Sequence, residues 1–232
     1  MTYNHSATTN DEDQTQDVAS PSAKTPEQQL AAGIEQLGLH VPPEARARLL
    51  AYVTLLAKWN RVYNLTAVRK PAEMIARHIL DSLAVAPFVR GTQVLDVGTG
   101  AGLPGIPLAV AMPDRHFVLL DSSAKKIRFV TQAIAELGLA NVQAVQSRAQ
   151  DFRPVRLFDT VVSRAFASIA SMVEAAAHLC SEEGRLLAMK GAYPQEELEA
   201  VPAGFRITGV QALRVPGLED AQRHVVCIER KP

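Results

Sequence analysis

The sequence contains few of the residues that characterise secreted or metal-binding proteins. Only two cysteines occur among its 232 residues, Cys180 and Cys227, and each lies in an apolar stretch. Two cysteines are too few for a disulfide framework, so we expect a reduced, cytoplasmic protein in which both are core residues. No Cys/His cluster has the spacing of a metal site, and we expect no bound metal.

Long hydrophobic runs are also missing. No stretch reaches the roughly 18 consecutive apolar residues that a membrane-spanning helix requires, and we expect no membrane association. The chain starts with MTYNHSATTNDEDQTQD, which has no basic start followed by an apolar segment, so a secretory signal is not expected. With 47% hydrophobic and 21% charged residues, the composition is that of a globular protein long enough for a complete core.

The sequence has no net charge, because Lys plus Arg and Asp plus Glu each number 24. The charges are unevenly distributed, since residues 1–28 contain five acidic residues and one basic residue, Lys24. The rest of the chain therefore carries a net charge of +4, which permits RNA binding without requiring it. Residues 1–24 are polar and lack hydrophobic periodicity, so we predict a disordered tail there.

Residues 25–90 predict an N-terminal helical extension. The first helix begins at residues 25–28, where Thr-Pro-Glu-Gln has the pattern of a capping box with proline at the first helical position, and Gly38 ends it. A second helix is predicted from about Pro43 and a third from about Pro71, each with apolar residues at helical spacing. The three apolar stripes are Leu30, Ile34 and Leu37; Ala45, Leu49, Val53 and Leu56; and Ile75, Ile79 and Leu83.

After residue 90 the pattern changes to short β-rich runs, most of them separated by helical stretches. This alternation indicates right-handed βαβ units and a parallel sheet. The last two runs are joined by Pro216-Gly217 with no helix between them, so we expect an antiparallel pair at the sheet edge. Residues 91–232 are thus predicted to form an α/β domain with a Rossmann-like, mostly parallel sheet. The predicted strands are Gln93–Val97, Phe117–Asp121, Val142–Gln146, Thr160–Ser163, Leu186–Met189, Phe205–Val215 and Arg223–Glu229, and the main helices are Ala124–Leu137 and Ser168–Cys180.

The strongest functional signal is VLDVGTGAGLPG at residues 94–105. A strand ends there in a glycine-rich turn and a helix follows, which lets backbone N–H groups approach a ligand closely. Residues 100–105 match the dinucleotide fingerprint Gly-x-Gly-x-x-Gly, but that fingerprint places its first glycine directly after the strand. Counted from Gly98, the third glycine position is occupied by Leu103. A nicotinamide enzyme therefore fits poorly, while a nucleotide-binding domain without catalysis stays open.

Two acidic residues favour S-adenosylmethionine as the ligand. Asp96 lies in the strand end, where a carboxylate suits the ammonium group of this cofactor, directly or through water, and would repel a diphosphate. Asp121 ends the next strand, where a ribose diol is typically bound, although it could also merely cap the helix that begins near Ser123. We therefore predict a class I methyltransferase. The predicted cofactor-binding residues of the turn are Asp96, Gly98, Gly100, Gly102 and Leu103, joined by Asp121.

Six sequence stretches, in order, resemble the glucose-inhibited division protein B family of bacterial methyltransferases, which modify guanine N7 in 16S ribosomal RNA. The resemblance covers roughly residues 30–230. It implies an enzyme that acts on 16S ribosomal RNA in the small ribosomal subunit, and we expect a monomer. The six stretches are WNRVYNLT (59–66), RHILDS (77–82), GTGAGLPGIP (98–107), SRA (147–149), SRAF (163–166) and KG (190–191).

The resemblance also implies roles for residues outside the turn. It assigns Ala149 and Gln150 to the adenine edge of the cofactor; Gln150 replaces a glutamate common in the family, which matters little if the backbone N–H makes the contact. Arg164 ends the fourth strand, and its position and the resemblance together favour a cofactor or RNA contact over a structural salt bridge. The candidates for the substrate pocket are Asn64, Thr66, Arg77, His78, Asp81 and Lys190.

Several of these candidates have structural alternatives. Asn64 and Thr66 follow a helix and could form a local turn, Arg77 and Asp81 at i and i+4 could be a surface ion pair, and His78 could be a satisfied interfacial histidine. No nucleophile–base pair is evident, and no catalytic residue is assigned, because guanine N7 has a lone pair and no proton to remove. A methyltransferase acting on a protein or small molecule, and a non-catalytic cofactor-binding module, remain alternatives.

Overall fold

The computed structural model describes Met1, residues 24–164 and residues 166–231. Almost all of the predicted N-terminal tail lies outside the described residues. The first described helix, α1 (Pro26–Gln36), confirms the predicted start: Thr25 Oγ1 accepts a hydrogen bond from Gln28 N, and the Gln28 side chain accepts one from Thr25 N.

The helical extension continues as predicted, with one irregularity. Helix α2 spans Pro43–Tyr63. A third helical segment then runs without a break through α3 (Pro71–Met74), a π-helical turn (Ile75–Leu80) and α4 (Asp81–Leu83). The predicted apolar stripe of this third segment is buried, but the π-helical turn within it was not foreseen. A short 3₁₀ turn at Ala86–Phe88 leads into the sheet.

The sheet has seven strands in the order β3-β2-β1-β4-β5-β7-β6. Neighbours from β3 to β5 pair in parallel, whereas β7 is antiparallel to both β5 and β6. This arrangement confirms the mostly parallel sheet and the antiparallel pair at its edge. The strands are β1 (Gln93–Val97), β2 (His116–Asp121), β3 (Val142–Gln146), β4 (Phe158–Ser163), β5 (Cys180–Lys190), β6 (Phe205–Ala212) and β7 (His224–Arg230).

Helices connect the strands and cover both faces of the sheet. The predicted helix Ser168–Cys180 is shorter than expected: α7 (Ile169–Ala176) is followed by a 3₁₀ turn, and Cys180 already has the extended backbone of β5. Cys180 and Cys227 are both buried, as predicted. The remaining helices are α5 (Gly105–Ala111), α6 (Ala124–Leu137) and α8 (Gln195–Glu199), with a 3₁₀ turn at Ala149–Asp151.

One hydrophobic layer lies on each side of the sheet, because successive side chains of a strand point to opposite faces. Val94 belongs to a cluster that also contains Leu49 of α2 and Ile79 of the π-helical turn. Leu95 belongs to the other cluster, with Met172 of α7. The helical extension packs against the helices α5 and α6 and shares one hydrophobic cluster with the face of the sheet that carries Val94. Among residues 24–164 and 166–231, no helix combines the length and hydrophobicity needed to cross a membrane.

Candidate active site

Asp96 organises the turn that follows β1. Its side chain is fully buried, and Oδ2 accepts hydrogen bonds from Thr99 Oγ1 at 2.6 Å and from Gly105 N, the first residue of α5, at 2.8 Å. Oδ1 is buried without a partner in the described part of the chain. Burial raises the pKa of this carboxyl to about 6, against the opposing effects of the two hydrogen bonds and of the Arg164 charge.

The glycine-rich turn needs backbone conformations that favour glycine. Gly98 and Gly102 have φ angles of +70° and +86°, in the left-handed region. A Cβ atom on Gly102 would also collide with the Ile106 side chain. Leu103 is buried at the end of this turn and donates its N–H to Thr99 O at 2.9 Å. These contacts form a compact backbone loop at the carboxyl end of β1.

Asp121, at the carboxyl end of β2, binds both the turn and the next helix. Its Oδ2 accepts from Gly100 N at 3.0 Å and lies 3.4 Å from Lys126 Nζ, while Oδ1 accepts from Ser123 N at 2.9 Å. The contact with Ser123 N precedes α6 and does not cap it, so the capping alternative considered from sequence is not what the structure shows. Lys126, on the first turn of α6, lies against this carboxylate.

A cavity of about 360 Å³ opens at the carboxyl ends of β1, β2 and β3. Four of the predicted cofactor residues line it: Gly98, Asp121, Ala149 and Gln150. The other predicted turn residues, Asp96, Gly100, Gly102 and Leu103, are not among its lining residues. The remaining lining residues were not assigned to the cofactor from sequence, although Val97, Ser147, Arg148 and Phe166 belong to the quoted stretches; they are Val97, Leu120, Ser122, Lys126, Ser147, Arg148, Phe166 and Ala175.

A second cavity of about 280 Å³ lies beyond the end of β4. Arg164 lines this cavity, not the first one, and so lies with the substrate candidates, although it was grouped with the cofactor residues. The positive charge of Arg164 also acts on the turn after β1, where it opposes the rise in the pKa of Asp96 that burial causes. The lining residues are Arg77, Asp81, Arg164, Met189, Lys190, Gly191, Leu213, Arg223 and His224.

Arg77 and Asp81 both line the second cavity, and the surface ion pair considered as an alternative for them does not form. The Asp81 side chain is only 4% exposed and pairs with two other arginines, Arg164 (Oδ2 to Nη1, 3.2 Å) and Arg223 (Oδ1 to Nε, 3.0 Å). Arg77 is exposed and makes no such pair. The π-helical turn between positions 77 and 81 widens the helix, so the i and i+4 positions are not stacked as in an α-helix.

His78 is a neutral, satisfied histidine. Its Nδ1 lies 2.9 Å from Arg77 O and its Nε2 lies 2.8 Å from Thr66 Oγ1. A carbonyl can only accept, so Nδ1 carries the proton and the Thr66 hydroxyl donates to Nε2. Burial, reinforced by the Arg164 charge, lowers the pKa of His78 to about 4. His78 and Thr66, both candidates for the substrate pocket, are therefore hydrogen-bonded to each other.

Asn64 and Lys190 also make structural contacts. Asn64 ends α2 with a left-handed backbone, φ +48°, and its Oδ1 accepts from Arg69 Nη2 at 2.9 Å. The Lys190 side chain is only 10% exposed, with Nζ 2.8 Å from Glu197 Oε2 and within 3.3 Å of two carbonyls of the loop after β4. Asn64 and Thr66 line neither cavity, whereas Lys190 lines the second with all three ammonium protons engaged.

Two important residues were missed from sequence. Tyr52 of α2 is fully buried and donates its hydroxyl to Ala101 O, within the glycine-rich turn, at 2.6 Å. A tyrosine on a buried helix stripe implies a partner for its hydroxyl, but not which one. Arg223 precedes β7, and nothing in its local sequence points to Asp81.

The fold and the turn after β1 together define a Rossmann-like methyltransferase. A SAM-dependent methyltransferase from Thiobacillus denitrificans, solved in complex with S-adenosyl-L-homocysteine, matches with a TM-score of 0.50 and 12% identity, covering 77% of this chain and 97% of that chain. A protein in the NADB-Rossmann superfamily from Streptococcus agalactiae matches with a TM-score of 0.54 and 14% identity, covering 65% of this chain and 67% of that chain. These similarities concern the fold.

Sequence comparison gives the family. The profile described as rRNA small subunit methyltransferase G matches residues 45–226. Ribosomal RNA small subunit methyltransferase G of Nitrosococcus oceani is 52% identical over 85% of this chain and 92% of that protein. Its namesake from Idiomarina loihiensis is 48% identical over 88% of this chain and 98% of that protein. The chain belongs to the rRNA small subunit methyltransferase G family, which confirms the resemblance drawn from the six stretches.

Proposed function

We propose that this protein transfers the methyl group of S-adenosylmethionine to N7 of one guanine in the 16S ribosomal RNA of the small subunit. The observation that carries the proposal is the acidic, glycine-rich turn of a chain about half identical, over most of its length, to curated small subunit RNA methyltransferases. The choice of guanine N7 rests on the family resemblance. A protein or small-molecule substrate is disfavoured by the names of these relatives.

The residues around the first cavity fit S-adenosylmethionine. The buried Oδ1 of Asp96 is an acceptor without a protein donor in the described chain, suited to an ammonium group directly or through water. Asp121 offers carboxylate oxygens for ribose hydroxyls, and the loop at Ala149 and Gln150, which also lines the cavity, would bind the adenine. When bound, this cofactor supplies an electrophilic methyl group on a sulfonium. The chain's own contribution is to hold and align it.

The chemistry at guanine N7 places few demands on side chains. The N7 lone pair lies in the ring plane and carries no proton, so attack on the methyl group needs no general base. The contacts of His78 and Lys190 agree with this, since both are engaged by neighbouring groups. The methylated ring is cationic, and the buried carboxylate that lines the first cavity is that of Asp121.

Mapping of N7-methylguanine in 16S RNA from cells with and without this gene tests the proposal. One guanine should lose its methyl group in the deletion strain and regain it with the wild-type gene. Gly98→Val should fail to restore it, because Gly98 lines the first cavity and has φ +70°, a backbone conformation that a β-branched residue rarely adopts. Gly38→Val is the matched control: its φ is +66°, nothing lies within 4 Å of an added Cβ, and it ends α1. An unchanged methylation map would contradict the proposal.

A further inference from the structure

The second cavity carries charge that the methyl transfer itself does not require. Three guanidinium groups line it, those of Arg77, Arg164 and Arg223, with the single carboxylate of Asp81. Lys190 adds no free charge, because its ammonium pairs with Glu197 at 2.8 Å. The cavity is therefore positive, and its polar side chains are mainly N–H donors.

Asp81 fixes two of these guanidinium groups. Each of its oxygens takes one arginine: Oδ2 accepts from Arg164, which ends β4, and Oδ1 from Arg223, which precedes β7. The side chains of Arg164 and Arg223 are 30% and 25% exposed. The Arg164 Nη1 that pairs with Asp81 also donates to Arg77 O. Arg223, whose Nε pairs with Asp81, donates Nη1 to Gln222 O. Both guanidinium groups stay partly exposed in the cavity that they line. Two donors from distant parts of the chain are held together in this way.

We propose that Arg164 and Arg223 bind a backbone phosphate of the RNA next to the methylated nucleotide, and that Asp81 is the positioning residue that orients them. This inference rests on the proposed function. A phosphodiester carries full negative charge, and its paired oxygens match the planar guanidinium fork. The guanine ring is the poorer occupant, because methylation at N7 makes it cationic and three guanidinium groups would oppose that charge.

The substitution Asp81→Asn distinguishes two roles of Asp81, which could position the two arginines or only neutralise their charge. Asp81→Asn keeps the shape of the side chain and removes its negative charge. If Asp81 only neutralised the arginines, the variant would bind RNA more tightly, because the cavity becomes more positive. If Asp81 positions them, affinity for RNA should fall by about tenfold to a hundredfold, the range expected for losing a charge-assisted contact.

The experiment measures binding of the full-length protein to small ribosomal subunits over a range of salt concentrations, without methyl transfer. Arg223→Gln should weaken binding and reduce the slope of log affinity against log salt by about 0.7 to 0.9, the value for one phosphate contact. Arg206→Gln is the control, because it also removes one positive charge but lies on β6, 51% exposed, beside Glu229 at the other end of β7 from the cavity. It should leave the slope unchanged.

Arg223→Lys keeps the charge and loses the planar fork, so it should keep the slope and lower the affinity. Melting temperature and calorimetric binding of S-adenosylmethionine show whether each variant is folded. If Asp81→Asn fails to fold, the comparison of the salt slopes of Arg223→Gln and Arg206→Gln still tests the inference. Equal or tighter RNA binding by Asp81→Asn, or equal slopes for the two glutamine variants, would overturn the inference. Because methyl transfer is not measured, failure of the guanine N7 assignment would appear separately, in the methylation map.

Discussion

Replacing Asp96 by asparagine should change how the stability of the cofactor-free protein depends on pH. The side chain is fully buried, and burial raises its pKa from 3.8 to about 6, although hydrogen bonds from Thr99 and Gly105 lower it. The unfolded chain therefore releases this proton near its ordinary pKa, whereas the folded protein keeps it until about pH 6. Between these values the folded state binds more protons than the unfolded state.

The two pKa values set the size and sign of the effect. At about 1.36 kcal/mol per pKa unit, ionising Asp96 in the folded protein costs on the order of 3 kcal/mol. The favourable contribution of this group is fully present below about pH 4 and is lost as the pH rises through about 6. Asparagine does not titrate, and its amide oxygen can accept the same two hydrogen bonds. The free energy of unfolding, variant minus wild type, should therefore rise by about 2 to 3 kcal/mol from pH 4 to pH 7.5.

Urea denaturation of both proteins at several pH values measures this difference. His78 titrates over the same range with the opposite sign: its pKa falls from 6.5 to about 4, so its contribution is present above pH 6.5 and lost as the pH falls through about 4. Both proteins share that contribution, and it cancels in the difference. A difference that stays constant with pH to within about 0.5 kcal/mol would refute the argument that Asp96 is ionised at a cost.

Three further predictions concern other parts of the molecule. Tyr52→Phe leaves the Ala101 carbonyl without its donor, so denaturation should show a loss of about 1 to 3 kcal/mol and calorimetry should show weaker S-adenosylmethionine binding; unchanged affinity would mean that the turn does not depend on α2. A protein starting at Thr25 should keep its melting temperature and its methyl transfer, because the deleted residues are polar and acidic; a loss of several degrees would contradict this. Intact small subunits should be methylated faster than protein-free 16S RNA, and short oligonucleotides hardly at all, because a small positive excess supports few phosphate contacts; equal rates on a guanine-containing oligonucleotide would count against it.

The sequence was most informative where structure depends on neighbouring residues. The strands from β1 to β4, the capping box at Thr25 and the glycine-rich turn are all local patterns, and the structure has them where they were predicted. The cofactor cavity follows from the same logic, since carboxyl ends of parallel strands meet at one edge of a sheet. Gly98 and Asp121 could therefore be placed together without coordinates.

The second cavity could not be predicted in the same way. Asp81, Arg164 and Arg223 are separated by 83 and 59 residues along the chain, and their pairing depends on how β7 inserts between β5 and β6. The π-helical turn before Asp81 has no recognised sequence signal, and the partners of the buried Asp81 are Arg164 and Arg223 instead of Arg77. The ion pair of Lys190 could not be predicted for a similar reason, because its partner Glu197 lies on a different element, α8.

The hydroxyl of Tyr52 and the shared hydrophobic layer have a consequence for folding cooperativity. Leu49 of the helical extension and Val94 of the sheet belong to one cluster, and Tyr52 joins the extension to the loop that shapes the cofactor cavity. We therefore expect no stable intermediate in which the sheet persists while the first helices are unfolded. Amide protons of α2 and β1 should exchange with solvent at similar free energies. The evolutionary counterpart is that the extension cannot be exchanged like a module, because doing so would remove the Tyr52 hydrogen bond to the glycine-rich turn.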